Sequence, residues 1–83
     1  MSHASHPDIV KRLKRVEGHV RSVIAMIEQG RPCTDLAQQL HAIEAAVTSA
    51  KRELIHDHIE HCLGGGDAVR SDLKDLKQLA KYL

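Results

Sequence analysis

Apolar residues recur at steps of three and four from Ile9 through Leu13, Val16, Val20, Val23, Ile24 and Ile27, the 3.6-residue period of an amphipathic helix. Pro7 and Asp8 suit its first turn, with Ser5 or His6 at the cap; proline is tolerated there and an acid favours the positive end of the helix dipole. Gly30-Arg31-Pro32 breaks the period, because glycine is favoured just past a helix end and the residue before proline avoids the helical region. A second stripe begins near Cys33 or Thr34, a reasonable cap. It runs Leu36, Leu40, Ile43, Val47, Ala50, Leu54, His58 and Cys62 to the break at Gly64-Gly65-Gly66. A third stripe, Val69, Leu73, Leu76, Leu79, Ala80 and Leu83, follows Asp67. The pattern predicts an all-α chain of three helices, about 7–29, 33–63 and 67–82, forming one helical domain over 7–83 behind a flexible polar tail at 1–6.

The second stripe implies roughly 30 residues in one helix, about 45 Å long at 1.5 Å per residue. In a chain of 83 residues so long a helix has no cover of its own and calls for a second copy. With no Trp, no Phe and one Tyr, the core is aliphatic, which suits interlocking helices better than a sheet. No apolar run reaches the roughly 20 residues of a membrane span. The N-terminus lacks the apolar centre of a signal peptide. Both point to a cytoplasmic protein without a membrane partner. In that reducing compartment, two thiols read as metal or redox chemistry rather than as a permanent disulfide.

The formal net charge is +1, unevenly spread. Residues 1–31 carry six Lys/Arg against three acids, whereas 32–62 carry two against five. On the first helix Lys11, Lys14, Arg15 and Arg21 point within about 80° of one direction, with Arg12 at its edge, opposite the apolar stripe. Lys51 and Arg52 of the second helix extend the set. Such a face can track phosphates, although a charge cluster is commonly just a solvated face. Without a helix-turn-helix pattern or aromatic residues to stack on bases, contacts would go to the DNA backbone and groove shape. Gly18 sits within this face, where a glycine lets another backbone approach.

The metal-binding residue types concentrate in His56-Asp57-His58-Ile59-Glu60-His61-Cys62. His58 and Cys62, four apart, lie on one helix face, the spacing that grips one ion. The only other thiol, Cys33, is 25 residues from His58, about 37 Å along a continuous helix. The three cannot share an ion within one chain. If two copies of the long helix pack antiparallel, Cys33 of one falls beside His58 and Cys62 of the other, and all three project within about 40° of one another. Two thiolates and an imidazole suit Cu(I), or Zn(II) with a fourth ligand. Ni(II) prefers a square-planar or tetragonal site, for which His3 or His6 would fold over as the extra ligand. His61 is a further possible ligand, His56 projects away, and His19 and His41 fall on intermediate faces. The plainer alternative makes both cysteines small apolar interface residues and the histidines solvated.

Arg12-Leu13-Lys14-Arg15-Val16-Glu17-Gly18-His19, then Arg31-Pro32-Cys33, Gln38-Gln39-Leu40 and the run from His56 to Cys62 together resemble the copper-sensing repressor family (CsoR), with its nickel/cobalt-sensing (RcnR) and formaldehyde-sensing (FrmR) relatives. The resemblance spans residues 8–83. It implies an antiparallel four-helix-bundle dimer, a dimer of dimers (homotetramer), and a metal-responsive repressor, not an enzyme, that leaves operator double-stranded DNA when its effector binds. Cys33, His58 and Cys62 match the family's Cu(I) ligands, and Arg12 and Arg52 fall where the family has DNA-contacting basic residues. The family's copper sensors also use a Tyr before the first Cys and a Glu on the third helix; this chain has Pro32 and, near the second position, Asp75 or Gln78. Cu(I) is the favoured effector, controlling metal efflux. The alternatives are a Ni(II)/Co(II) sensor drawing on an N-terminal histidine, and a thiol-redox or persulfide sensor through Cys33 and Cys62.

Overall fold

A computed structural model describes residues 6–63 and 69–83, with backbone alone at 61–63 and 69–72. It consists of α1 (Pro7–Glu28), α2 (Cys33–Leu63), α3 (Val69–Leu79) and a closing 3-10 turn, Ala80–Tyr82. Among the described residues there is no strand, so the chain is all-α with three helices. The last turn expected of the third helix is tightened into 3-10 geometry, common at helix ends. The proposed cap Asp67 and the triple glycine lie outside the described residues.

Local chemistry accounts for the ends of α1. Pro7 occupies the first helical position and Asp8 the first turn. His6 is the cap residue, at φ 39° and ψ 59°, and makes no side-chain capping bond. That left-handed conformation is unfavourable for a residue with a β-carbon. At the other end Arg31 N–H donates to Met26 O at 3.0 Å and Gly30 N–H to Ile27 O at 3.0 Å. This is the Schellman pattern, and Gly30 supplies its left-handed residue at φ 73°. The chain reverses there, so α1 and α2 run antiparallel.

Few residues fill the seam between them. Ile9 and Val23 of α1 and Ile43, Ala50 and Ile55 of α2 are buried, whereas Leu13, Val20, Ile24 and Ile27 on α1 and Leu40, Val47 and Leu54 on α2 are exposed. One chain thus covers one edge of each apolar stripe and leaves the rest bare. The extents, 55 × 24 × 13 Å, give the reason, since the short dimension is little more than one helix of about 10–12 Å. Ile55 lies off the predicted stripe; with Leu54 it walls a cavity against Leu79 and Tyr82, the place where the third helix meets α2.

Gly18 is exposed, and an added β-carbon there meets nothing within 4 Å. The close approach that the sequence allows is not made within the chain. Gly18→Ala is therefore expected to raise stability by roughly 1 kcal/mol through helix propensity alone, read as a higher denaturation midpoint at unchanged slope. A drop in the midpoint instead would mean that another backbone, from a second subunit, approaches Gly18.

Candidate metal and nucleic-acid sites

Cys33 opens α2 and is exposed; His58 lies near the other end of the same unbroken helix and is half-buried. Their separation of about 37 Å follows from the helical rise. Among the described residues no three His, Cys, Asp or Glu side chains converge as a metal site. The chain therefore does not bring Cys33 and His58 together by itself. The backbone of His61 and Cys62 continues α2, while their side chains, like His3, lie outside the described residues.

His58 faces α3. It lines a cavity of about 290 Å³ with Asp75, Gln78 and Tyr82, so the third helix presents a carboxylate and an amide to the space beside its imidazole. Neighbouring histidines have partners of their own. His56 Nε2 lies 2.9 Å from Glu60 Oε1 on the exposed side of α2, and His41 Nδ1 is 4.0 Å from Glu44 Oε1. His6, assigned to the polar tail by the sequence, packs its Nδ1 2.8 Å from Asp57 Oδ2 with a side chain only 14% exposed. This pair offsets the unfavourable backbone of His6 and ties the start of α1 to the residue next to His58.

The same edge continues along the seam. Arg12 Nη1 lies 2.6 Å from Glu53 Oε2 and donates to Ser49 Oγ at 3.5 Å. His19 Nε2 donates to Gln39 Oε1 at 2.6 Å in a half-buried contact. His19, which periodicity puts on an intermediate face, is thus part of the packing between α1 and α2. No sequence spacing signals these pairs, because they join residues 20 or more apart and depend on how the two helices are rotated.

Lys11, Lys14, Arg15, Lys51 and Arg52 are exposed, and among the described residues none has a carboxylate at ion-pair distance; Arg21 is paired only along its own helix, 3.4 Å from Glu17. Arg12 and Arg15 line one shallow groove that includes Ser49, and Arg52 lines an adjoining groove that shares Ser49. The basic face of α1 therefore continues onto α2 at Arg52. With most of its cations unneutralised and no Phe, Tyr or Trp in the grooves, which His19 and His41 line instead, this surface offers a polyanion mainly charge.

The sequence profile of the metal-sensitive transcriptional repressors matches residues 5–83. The chain belongs to that family. The copper-sensing transcriptional repressor CsoR of Bacillus subtilis is 38% identical over 74 residues, covering 82% of this chain and 73% of that protein. The copper-sensing transcriptional repressor RicR of Mycobacterium tuberculosis is 42% identical over 53 residues, 64% of this chain, and the match spans about half of RicR, 55%. Among solved structures, the nickel-responsive transcriptional regulator InrS superposes with a TM-score of 0.82 at 29% identity, over 94% of this chain and 92% of InrS. These relatives are regulators, not enzymes. The donors of this repressor-family chain suit a soft or borderline ion, since thiolate and imidazole favour Cu(I), Zn(II) and related metals over hard cations.

Proposed function

We propose that this chain is a metal-responsive repressor that binds operator DNA as an oligomer and releases it when metal occupies a site shared between subunits. The observation that carries the shared site is the unbroken α2, with Cys33 at one end and His58 and Cys62 near the other. An antiparallel second copy brings Cys33 of one subunit to His58 and Cys62 of its neighbour, giving two equivalent sites per dimer. The exposed stripe of Leu40, Val47 and Leu54 with Leu13, Val20 and Ile27 supports such a dimer, because each apolar side chain fully covered contributes about 1.5–3 kcal/mol. Two dimers make the working tetramer.

Cu(I) is the favoured effector, held by two thiolates and one imidazole. A second reading is Ni(II) or Co(II), and the position of His6 against Asp57, next to His58, favours it because the N-terminal segment reaches this end of α2. The protein acts in the cytoplasm on a metal-efflux gene. Among the described residues no helix is long and apolar enough to cross a membrane.

The deciding experiment titrates the reduced protein anaerobically with Cu(I), Ni(II), Co(II) and Zn(II) and records which of them lowers DNA affinity. Tight binding of one metal with release of DNA supports the reading; DNA affinity indifferent to all four overturns it. The DNA face makes its own prediction. Lys14→Ala and Arg15→Ala should each weaken binding across unrelated sequences and flatten the dependence of log K on log salt by about 0.9 for each phosphate no longer neutralised. An unchanged slope in both variants would move the binding face off α1.

A further inference from the structure

Arg12 differs from the other cations of the basic face in being engaged from within the chain. Its Nη1 lies 2.6 Å from Glu53 Oε2 and 3.5 Å from Ser49 Oγ, both on α2. Glu53 Oε2 has less than 1 Å² of exposed surface and no hydrogen-bond donor in good geometry. The guanidinium charge is therefore what balances a carboxylate oxygen already removed from water. The rest of Arg12 stays accessible, with its side chain 48% exposed and its edge in the groove shared with Arg15.

We infer that Glu53 is an intramolecular competitor of DNA phosphate for Arg12, a positioning residue that holds DNA affinity below what the basic face would otherwise reach. Two physical effects act in the same direction. A phosphate approaching Arg12 meets the repulsion of a carboxylate on the far side of the guanidinium, so the charge offered to the polyanion is partly cancelled. Drawing Arg12 outward also separates it from Oε2, although the Glu53 side chain as a whole is 41% exposed, so the charge competition is the larger of the two effects. Glu53 rides on α2, the helix that carries His58, so the competitor and the candidate metal ligand move as one rigid element. Restraint of this kind keeps a repressor's affinity within reach of release by its effector, because a coupling of ordinary size must bridge the gap between bound and free.

The inference rests on the DNA-binding reading and is tested with a mixed-sequence DNA duplex at several salt concentrations. Glu53→Gln keeps a hydrogen-bond acceptor and removes the charge; Glu53→Ala removes both. Each should bind DNA roughly three- to tenfold more tightly at low salt and steepen the salt slope by about one unit, as one more effective cation would. Glu53→Asp should keep the slope of the unmodified protein. In an Arg12→Gln background the gain from Glu53→Gln should vanish, since the effect passes through Arg12. Unchanged or weaker binding by both Glu53→Gln and Glu53→Ala, or a gain that survives in the Arg12→Gln background, overturns the inference while leaving the repressor reading intact. Absence of any salt-dependent DNA binding by the unmodified protein overturns the repressor reading, and this inference with it.

Discussion

Cys33→Ala chains mixed with His58→Ala chains will recover one complete metal site per mixed dimer, although neither variant alone forms one. A Cys33→Ala chain retains His58 and Cys62, and a His58→Ala chain retains Cys33. In an antiparallel pair the surviving cysteine of one meets the surviving histidine and cysteine of the other. The second site of that dimer lacks both residues and binds no metal tightly, so half of the metal capacity of the unmodified dimer returns. The effect is large because deleting a ligand from a three-donor soft site removes a thiolate or an imidazole for which water is a poor substitute. Equilibrium titration of the mixture against each variant alone reads it out. A mixture that binds metal no more tightly than its components would exclude an antiparallel shared site, and a Cys33→Ala protein that binds normally on its own would remove Cys33 from the ligand set.

The features that support this geometry are those written locally in the sequence. Pro7, Asp8 and the Gly30-Arg31-Pro32 turn bracket α1 through backbone constraints that need no tertiary partner, and the spacing from Leu36 to Cys62 announces one long helix. That Cys33 and His58 cannot meet within a chain follows from helical rise alone. The seam between α1 and α2 was not legible in the same way. His6 against Asp57, Arg12 against Glu53 and His19 against Gln39 join polar residues whose meeting depends on the rotation of each helix about its axis, and periodicity locates a stripe only to within tens of degrees. Ile55 escaped for a related reason. It is buried beside Leu54 because a third helix covers that flank, whereas a single-stripe reading assigns one apolar face to one partner. Arg12 read simply as a phosphate contact, since a carboxylate 41 positions later in the chain gives no sign that it will be a neighbour.

His58→Ala is expected to separate metal binding from DNA release. If metal weakens DNA binding as proposed, linkage requires that DNA weaken metal binding by the same factor, typically 5- to 150-fold for a coupling of 1 to 3 kcal/mol. His58 is the candidate ligand whose surroundings suit it to carry that coupling. An imidazole that binds an ion through one nitrogen still has the other to hydrogen-bond a neighbouring element, and such partners tune the ligand's orientation and basicity. The cavity beside His58 presents Asp75 and Gln78 of α3, and Asp57, its neighbour in sequence, ties α2 to the start of α1 at His6. His58 thus borders α3, and the residue beside it contacts the start of α1, the helix that bears Lys11, Arg12, Lys14 and Arg15. In His58→Ala the two thiolates remain, so a soft ion is expected to bind with reduced affinity, while the imidazole that borders Asp75 and Gln78 is gone. At saturating metal this variant should stay on DNA with the coupling factor close to one, whereas Cys33→Ala should fail to bind metal tightly in the first place. Gln78→Leu and Asp75→Asn should reduce the coupling while leaving metal affinity nearer to that of the unmodified protein, which assigns the effect to the α3 side of the cavity. Metal and DNA affinities measured on the same His58→Ala preparation decide the matter: a variant that binds metal and still releases DNA to the normal extent would take His58 out of the coupling.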